Sequence, residues 1–197
     1  MSYTAWSVVF GEQPTAAKWN QLGQNDAGFK DGTNIDDSAI LNRHIAANNL
    51  YATKLYNPYK FSAYKATGAG NQATTAGVAA KVTMTTERFD TGSNYDAANS
   101  RFTAPVAGFY FLNAIIQTLN GTSSTDSNIQ LYKNGSLMRK GGNLKNGVYP
   151  QHQVVGFFQL AANDYIEVYF INITANDSIE AGAGTSSTFE GYLISPT

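Results

Sequence analysis

Residues 108–117, GFYFLNAIIQ, alternate along a strand between Tyr110, Leu112, Ala114 and Ile116 on one side and Phe109, Phe111, Asn113 and Ile115 on the other, and both sides are largely apolar. Successive side chains of a strand point to opposite faces, so a two-layer sandwich can bury only one of these sets. The run YIEVYFINI, residues 165–173, repeats the situation, with Ile166, Val168 and Phe170 on one face and Tyr165, Glu167, Tyr169 and Ile171 on the other. A second face rich in aromatic side chains is the composition of a subunit interface. The pattern therefore predicts strands that pack inward on a core and outward on another copy, with Phe109, Phe111, Ile115, Tyr165, Tyr169 and Ile171 as the head interface. Cover by the N-terminal segment or a long loop is the competing explanation.

Around these strands, residues 59–197 carry a dense series of further β signals: KFSAYK, AAKVTM, RFTAP, NIQLYKNGS, VVGFFQL and TFEGYLIS. Strands recurring about every 8–12 residues mark a sandwich or barrel. KNGS and AAND have the chemistry of hairpin turns, because Asn and Gly accept the positive φ that tight turns need. The composition agrees: 14% of residues are charged, the net charge is −1, and the 13 Lys and Arg are scattered, which leaves no basic face for nucleic acid or an anionic membrane. With no cysteine there is no disulfide framework, thiol nucleophile or thiolate metal site.

The first 58 residues differ from the rest. In residues 1–33, Trp6, Phe10, Trp19, Leu22 and Phe29 give more apolar surface than so short a segment can bury. Thr15 is a candidate N-cap for one small helix, and the segment is expected to dock on something else. It has neither the pattern of a secretion signal nor a run of about 20 apolar residues that could span a membrane. Residues 34–58 place Ile35, Ile40, Ile45, Leu50 and Leu55 at five-residue intervals. Five positions advance a helix by about 140° and flip a strand's face, so neither element of a single chain gathers these side chains onto one side. Three chains around a shared axis could, each pentad contributing one side chain to a threefold layer. A pentapeptide-repeat β-helix is disfavoured because Arg43 and Asn48 stand where it requires small residues.

The run FDTGSNYDAANSRFTAPVAGFYFLNA, with Asp90, Tyr95, Phe102, Gly108 and Tyr110 at fixed intervals, resembles the signature of the complement 1q globular domain, and LYKNG, FFQLAANDYIEVYF and TFEGYLI are similar to its later strands. Met84, Leu112 and Ala114 stand where that family prefers aromatic residues. The resemblance covers residues 59–197 and implies an all-β, ten-stranded jelly roll of the complement 1q and tumour necrosis factor type, assembling as a homotrimer. The pentads are similar to stem segments of bacteriophage fibre proteins, and residues 11–33 to N-terminal segments of phage appendages. The implied organisation is a virion-docking segment (1–33), a trimeric stem (34–58) and a jelly-roll head (59–197).

Catalytic chemistry is sparse. His44 and His152 are the only histidines, no G-x-S-x-G motif occurs, and no pair of carboxylates suggests a glycan hydrolase. His152 in YPQHQ is expected in a surface loop or an interface. Asp126, Asp177 and Glu180, with neighbouring Asn and carbonyls, supply oxygens that a calcium ion could use; no other cofactor is expected. The expectation is a non-enzymatic virion protein, assembled in the host cytoplasm, that attaches to a bacterial surface glycan or protein receptor through Asp126, Tyr149, His152, Asn176 and Asp177. The alternatives are a capsid decoration or head-fibre protein and a bacterial surface or spore-coat trimer.

Overall fold

The structure is a computed structural model that describes residues 13, 15–17, 19–20, 59–119, 126–145, 148–182 and 184–197. The chain divides into two units, Met1–Tyr56 and Asn57–Thr197. In the first, Ala16, Ala17, Trp19 and Asn20 are helical, and Trp19 N–H donates to the Thr15 carbonyl at 3.1 Å. The other proposed docking residues, Trp6, Phe10, Leu22 and Phe29, and the pentad residues Ile35, Ile40, Ile45, Leu50 and Leu55, lie outside the described residues.

The second unit is an antiparallel sandwich. One sheet has six strands in the order β10 (Gly142–Lys145), β11 (Gln151–Leu160), β7 (Gly108–Gln117), β14 (Thr188–Pro196), β1 (Lys60–Tyr64) and β4 (Thr86–Asp90). The facing sheet runs β5 (Tyr95–Asp96), β6 (Arg101–Thr103), β12 (Tyr165–Asn172), β8 (Ser127–Lys133) and β9 (Ser136–Lys140), with β3 (Ala80–Lys81) also paired to β12. A two-stranded sheet, β2 (Gln72–Thr74) with β13 (Asp177–Ile179), closes one end. This is the expected all-β jelly roll of the complement 1q and tumour necrosis factor type. The described residues hold fourteen strands rather than ten, the surplus being pieces of two or three residues such as β2, β3, β5 and β13.

The alternation seen in the sequence sorts as expected. Tyr110, Leu112, Ala114 and Ile116 of β7 and Ile166, Val168 and Phe170 of β12 are buried between the sheets, with Met84, Phe61, Phe102 and Phe189. Phe61 is the hub of the aromatic core, stacked on Phe102 at 4.5 Å and Tyr95 at 5.4 Å between ring centres and meeting Phe189 edge-on at 4.9 Å. The signature residues have structural tasks here. Asp90 accepts backbone N–H groups of Tyr95 at 2.7 Å and Gly92 at 3.3 Å, holding the β4–β5 turn. The Tyr95 hydroxyl donates to the Met84 carbonyl and the Tyr110 hydroxyl to the Val106 carbonyl, each at 2.8 Å. At Gly108 a Cβ would lie 2.6 Å from the Ser195 carbonyl oxygen, so the close approach of β7 to β14 requires glycine.

The two expected hairpins have different outcomes. KNGS joins β8 to β9, with Asn134 at φ 52° and Gly135 at φ 78°. AAND is a tight turn with Asn163 at φ 69°, but it is not a hairpin, because the strands on either side belong to different sheets. β11 pairs with β7 from Gln151↔Gln117 to Leu160↔Gly108, while β12 pairs with β8. Asp164 ties both turns together, its carboxylate accepting from Lys133 Nζ at 2.9 Å, Asn134 Nδ2 at 2.6 Å and Ala161 N–H at 2.9 Å. Those charge-assisted bonds, Lys133 foremost, hold its carboxyl below the usual carboxylate range.

Replacing the aromatic hub tests this account of the core. Phe61→Ala removes three ring contacts at a fully buried position and is expected to lower unfolding free energy by about 3–5 kcal/mol, measured by urea denaturation at neutral pH.

Candidate functional site

The outer face of the first sheet carries a row of aromatic residues. In register, Phe157 of β11 lies beside Phe111 of β7, Phe111 beside Tyr192 of β14, and Tyr192 beside Lys60 of β1. The Phe111 ring is 5.6 Å from Phe157 and 5.5 Å from Tyr192. Phe157 is 68% exposed, and Phe89, Phe109, Val155, Tyr192 and Ile194 are also open to solvent. Toward the other end the face turns polar: Glu190 accepts from Ser62 Oγ at 2.9 Å and Arg88 Nη1 at 3.1 Å, and amides pair from Gln153 to Asn113 at 2.8 Å and from Gln151 to Gln117 at 3.0 Å. The face is therefore graded from apolar, where β1 begins, to polar at the opposite end.

Beside the aromatic row lies a cavity of about 360 Å3, lined by Phe61, Phe89, Phe111, Tyr192, Lys60 and Glu190 over Gly191. A Cβ at Gly191 would point inward, 2.6 Å from Leu112 Cδ2 and 2.8 Å from the Phe111 carbonyl oxygen, so tight packing of β14 on β7 over the core keeps this position without a side chain. Phe109, Phe111 and Ile115 of this face were expected from the sequence, whereas Phe157, Tyr192 and Phe89 were not. Alternation in VVGFFQL and FEGYLIS was the signal that would have found them, once both strands were known to flank β7.

Tyr165, Tyr169 and Ile171 are not part of this face. They are half-buried on the outer side of the second sheet, so the six residues expected to form one interface divide between opposite sides of the sandwich. The reason is that β7 and β12 lie in different sheets, whose outward directions oppose each other. On the second face Tyr169 stacks on Tyr132 at 4.1 Å, and Lys81 Nζ pairs with Glu167 Oε1 at 2.7 Å. Burial first, then the Glu167 carboxylate, raises the pKa of the Tyr169 hydroxyl. Much of this face satisfies itself within one chain.

The proposed receptor residues gather at the end of the sandwich opposite the start of β1, where β7 and β12 finish and β8 and β11 begin. Thr118 N–H donates to the Pro150 carbonyl at 2.9 Å, Ile173 N–H to the Asp126 carbonyl at 3.2 Å, and Ala76 N–H to Asn176 Oδ1 at 2.9 Å. Asp126, Tyr149 and Asn176 are exposed there. His152 and Asp177 are not: both are buried, His152 within β11 on the core side and Asp177 in β13. The expectation of a surface or interface histidine is thus corrected, because the parity of β11 turns His152 inward with Val154. Burial lowers the His152 pKa to about 4, against a smaller opposing pull from Asp177. Among the described residues no three His, Cys, Asp or Glu side chains are grouped to hold an ion, so Asp126, Asp177 and Glu180 do not converge on a calcium site.

Comparison with known proteins fits this geometry. A family model described as the C1q domain matches residues 61–194. No curated protein matches the chain significantly. Among solved structures, Eiger, a TNF from S. frugiperda, superposes with a TM-score of 0.55 at 11% identity over 72% of this chain and 96% of that one. Murine APRIL at pH 5.0 gives 0.52 at 11% identity over 68% and 98%. The globular domain of zebrafish complement 1qA gives 0.49 at 13% identity over 71% and 99%. At these identities the first two likenesses establish the fold.

Adjacent residues of β11 provide a direct test of which face is open. Phe158→Ala, at a side chain 8% exposed, is expected to cost about 3–5 kcal/mol of subunit stability, as a core truncation does. Phe157→Ser, next to it but outward, is expected to change subunit unfolding by about 0.5 kcal/mol or less when measured at dilutions where copies do not associate.

Proposed function

Because the chain belongs to the C1q domain family through residues 61–194, we propose that it is a non-catalytic attachment protein whose heads assemble as homotrimers through the outer face of the first sheet. The observation that carries this reading is the aromatic row on that face beside the cavity over Gly191. Its projecting side chain, Phe157, stands toward the β10–β11 side of the sheet, and the cavity stands toward the β1–β4 side. A patch with its projection at one side and its recess at the other suits a head-to-tail contact, which closes into a ring when the rotation allows. Three such contacts would remove the aromatic row from water.

In this reading the pentads Ile35 to Leu55 form the threefold stem, residues 1–33 dock on a phage particle, and the protein is a virion appendage, a tail or head fibre. The similarity of those segments to phage fibre stems and appendage termini supports it. The polar loop end points away from the end at which the chain enters the head, so it would meet a bacterial surface first. Tyr149, Asp126 and Asn176 suit shallow glycan recognition, in which a ring stacks on a sugar face and short polar groups bind hydroxyls. Threefold repetition converts weak single contacts into avidity, since the second and third contacts are effectively intramolecular.

Light scattering at micromolar concentration is expected to give about three times the 21.2 kDa chain mass, and Phe157→Asp, which places a carboxylate in each apolar contact, is expected to give monomers. A monomeric parent protein overturns the assembly. For attachment, the purified full chain is expected to adsorb to host cells and compete with the particle, and Tyr149→Ala with Asn176→Ala to lower adsorption about tenfold or more with the trimer intact. Failure of the intact trimer to adsorb overturns the attachment role and leaves a capsid decoration protein.

A further inference from the structure

His152 is fully buried, its ring 5.0 Å from Phe170, and neither Nδ1 nor Nε2 has a hydrogen-bond partner. Both imidazole nitrogens can bond, and a buried imidazole with neither satisfied is costly even when neutral. The hydroxyl of Thr118, two residues past the His152 register partner Ile116, is also buried and unpartnered. These groups lie at a seam. Ile179 of β13 forms a bridge with Thr118, Leu119 N–H donates to the Ser178 carbonyl at 3.0 Å, and Thr74 Oγ1 of β2 donates to the Asp177 carbonyl at 3.2 Å. The two-stranded β2–β13 sheet is thus a flap fastened over the end of β7.

We propose that His152 is an acid-sensitive latch on this flap: neutral, it is buried beside the end of β7 to which β13 is fastened and keeps the loop end closed, and on protonation it opens β2–β13 together with the segments fastened to them. Those segments include Thr118, Leu119 and Pro150, beside Tyr149. The latch rests on packing, whereas its value to the protein rests on the attachment role proposed for that end.

The surroundings fix the direction of the response. From β12 the ring meets Phe170, with uncharged Asn172 next on the same face. β7 contributes Ile116, its register partner, with uncharged Thr118 just past the end of the strand. Asp177 of β13 is the charged group that acts on the ring, and its Oδ1 already accepts the Ser178 N–H at 2.7 Å. Glu180 is engaged by the Gln117 side-chain amide. One carboxylate opposes the desolvation of an imidazolium but does not outweigh it, and the folded pKa is about 4. An opened His152 binds its proton near the ordinary value of about 6.5. Between those values the open state holds more protons than the closed one, so the closed state is fully favoured above pH 6.5 and loses ground as pH falls toward 4. Each unit below 6.5 changes the closed-to-open ratio by up to about tenfold.

The test is amide hydrogen exchange of Gln72–Thr74 and Asp177–Ile179 in the full chain, corrected for intrinsic rates. Between pH 7 and 4.5 the flap-opening equilibrium is expected to rise by up to about 100-fold. In His152→Leu it is expected to stay within about threefold over the same range, since no proton is taken up. An equal rise in parent and variant overturns the latch, and so does no rise in the parent. If His152→Leu does not fold, the imidazole is titrated by NMR in the parent, with His44→Gln to assign the other histidine: titration near 4 supports the latch, and titration near 6.5 in the folded protein overturns it. A trimer that adsorbs to cells at no pH but still shows acid-dependent flap exchange fails the attachment role alone.

Discussion

The head is organised around the packing of Phe61 against Tyr95, Phe102 and Phe189. Phe61 comes from the first strand, Tyr95 and Phe102 from the facing sheet, and Phe189 from the last strand. This one cluster therefore joins the two ends of the domain and the two layers of the sandwich. Aromatic rings in offset and edge-on contact bury large apolar areas with defined geometry, which fixes how the sheets face each other. The most diagnostic part of the sequence, from Asp90 to Tyr110, supplies turns and core contacts to this arrangement. It identifies a fold and carries no information about a ligand.

With the core satisfied, the two outer faces differ in kind. On the second sheet, Lys81 with Glu167 and Tyr132 with Tyr169 satisfy one another within a single chain. On the first, Phe157, Phe111 and Tyr192 form a row that no part of the described chain covers, beside a cavity lined by Phe89, Lys60 and Glu190. The polar end of that same face, with its Gln151–Gln117 and Gln153–Asn113 amide pairs, leads to the loop end. The apolar row and the polar loops thus lie at opposite ends of one sheet, so a change to one leaves the other in place.

The loop end combines exposed polar residues with a buried polar layer beneath them. Asn176 and Asn172 cap backbone N–H groups of the neighbouring loops, whereas His152 and Thr118 have no such partners. Unsatisfied buried groups weaken the local structure relative to the aromatic core, and local opening is drawn from regions of this kind.

Much of the fold was legible in the sequence because it depends on local parity. Alternation along β7 and β12 gave the buried residues, Asn134-Gly135 gave its hairpin through the positive φ both residues adopt, and the spacing of β signals gave a sandwich. What could not be read was which strands share a sheet. That choice is made by pairing between residues far apart in the chain: β11 joins β7 and not its neighbour β12, so AAND crosses between sheets and the expected six-residue interface separates onto two sides. The same pairing places Phe157 and Tyr192 beside Phe111, and the parity it imposes on β11 turns His152 into the core. Strand periodicity fixes which residues of a strand point together, while only the completed sheets decide whether that direction is toward the core, toward solvent or toward another copy.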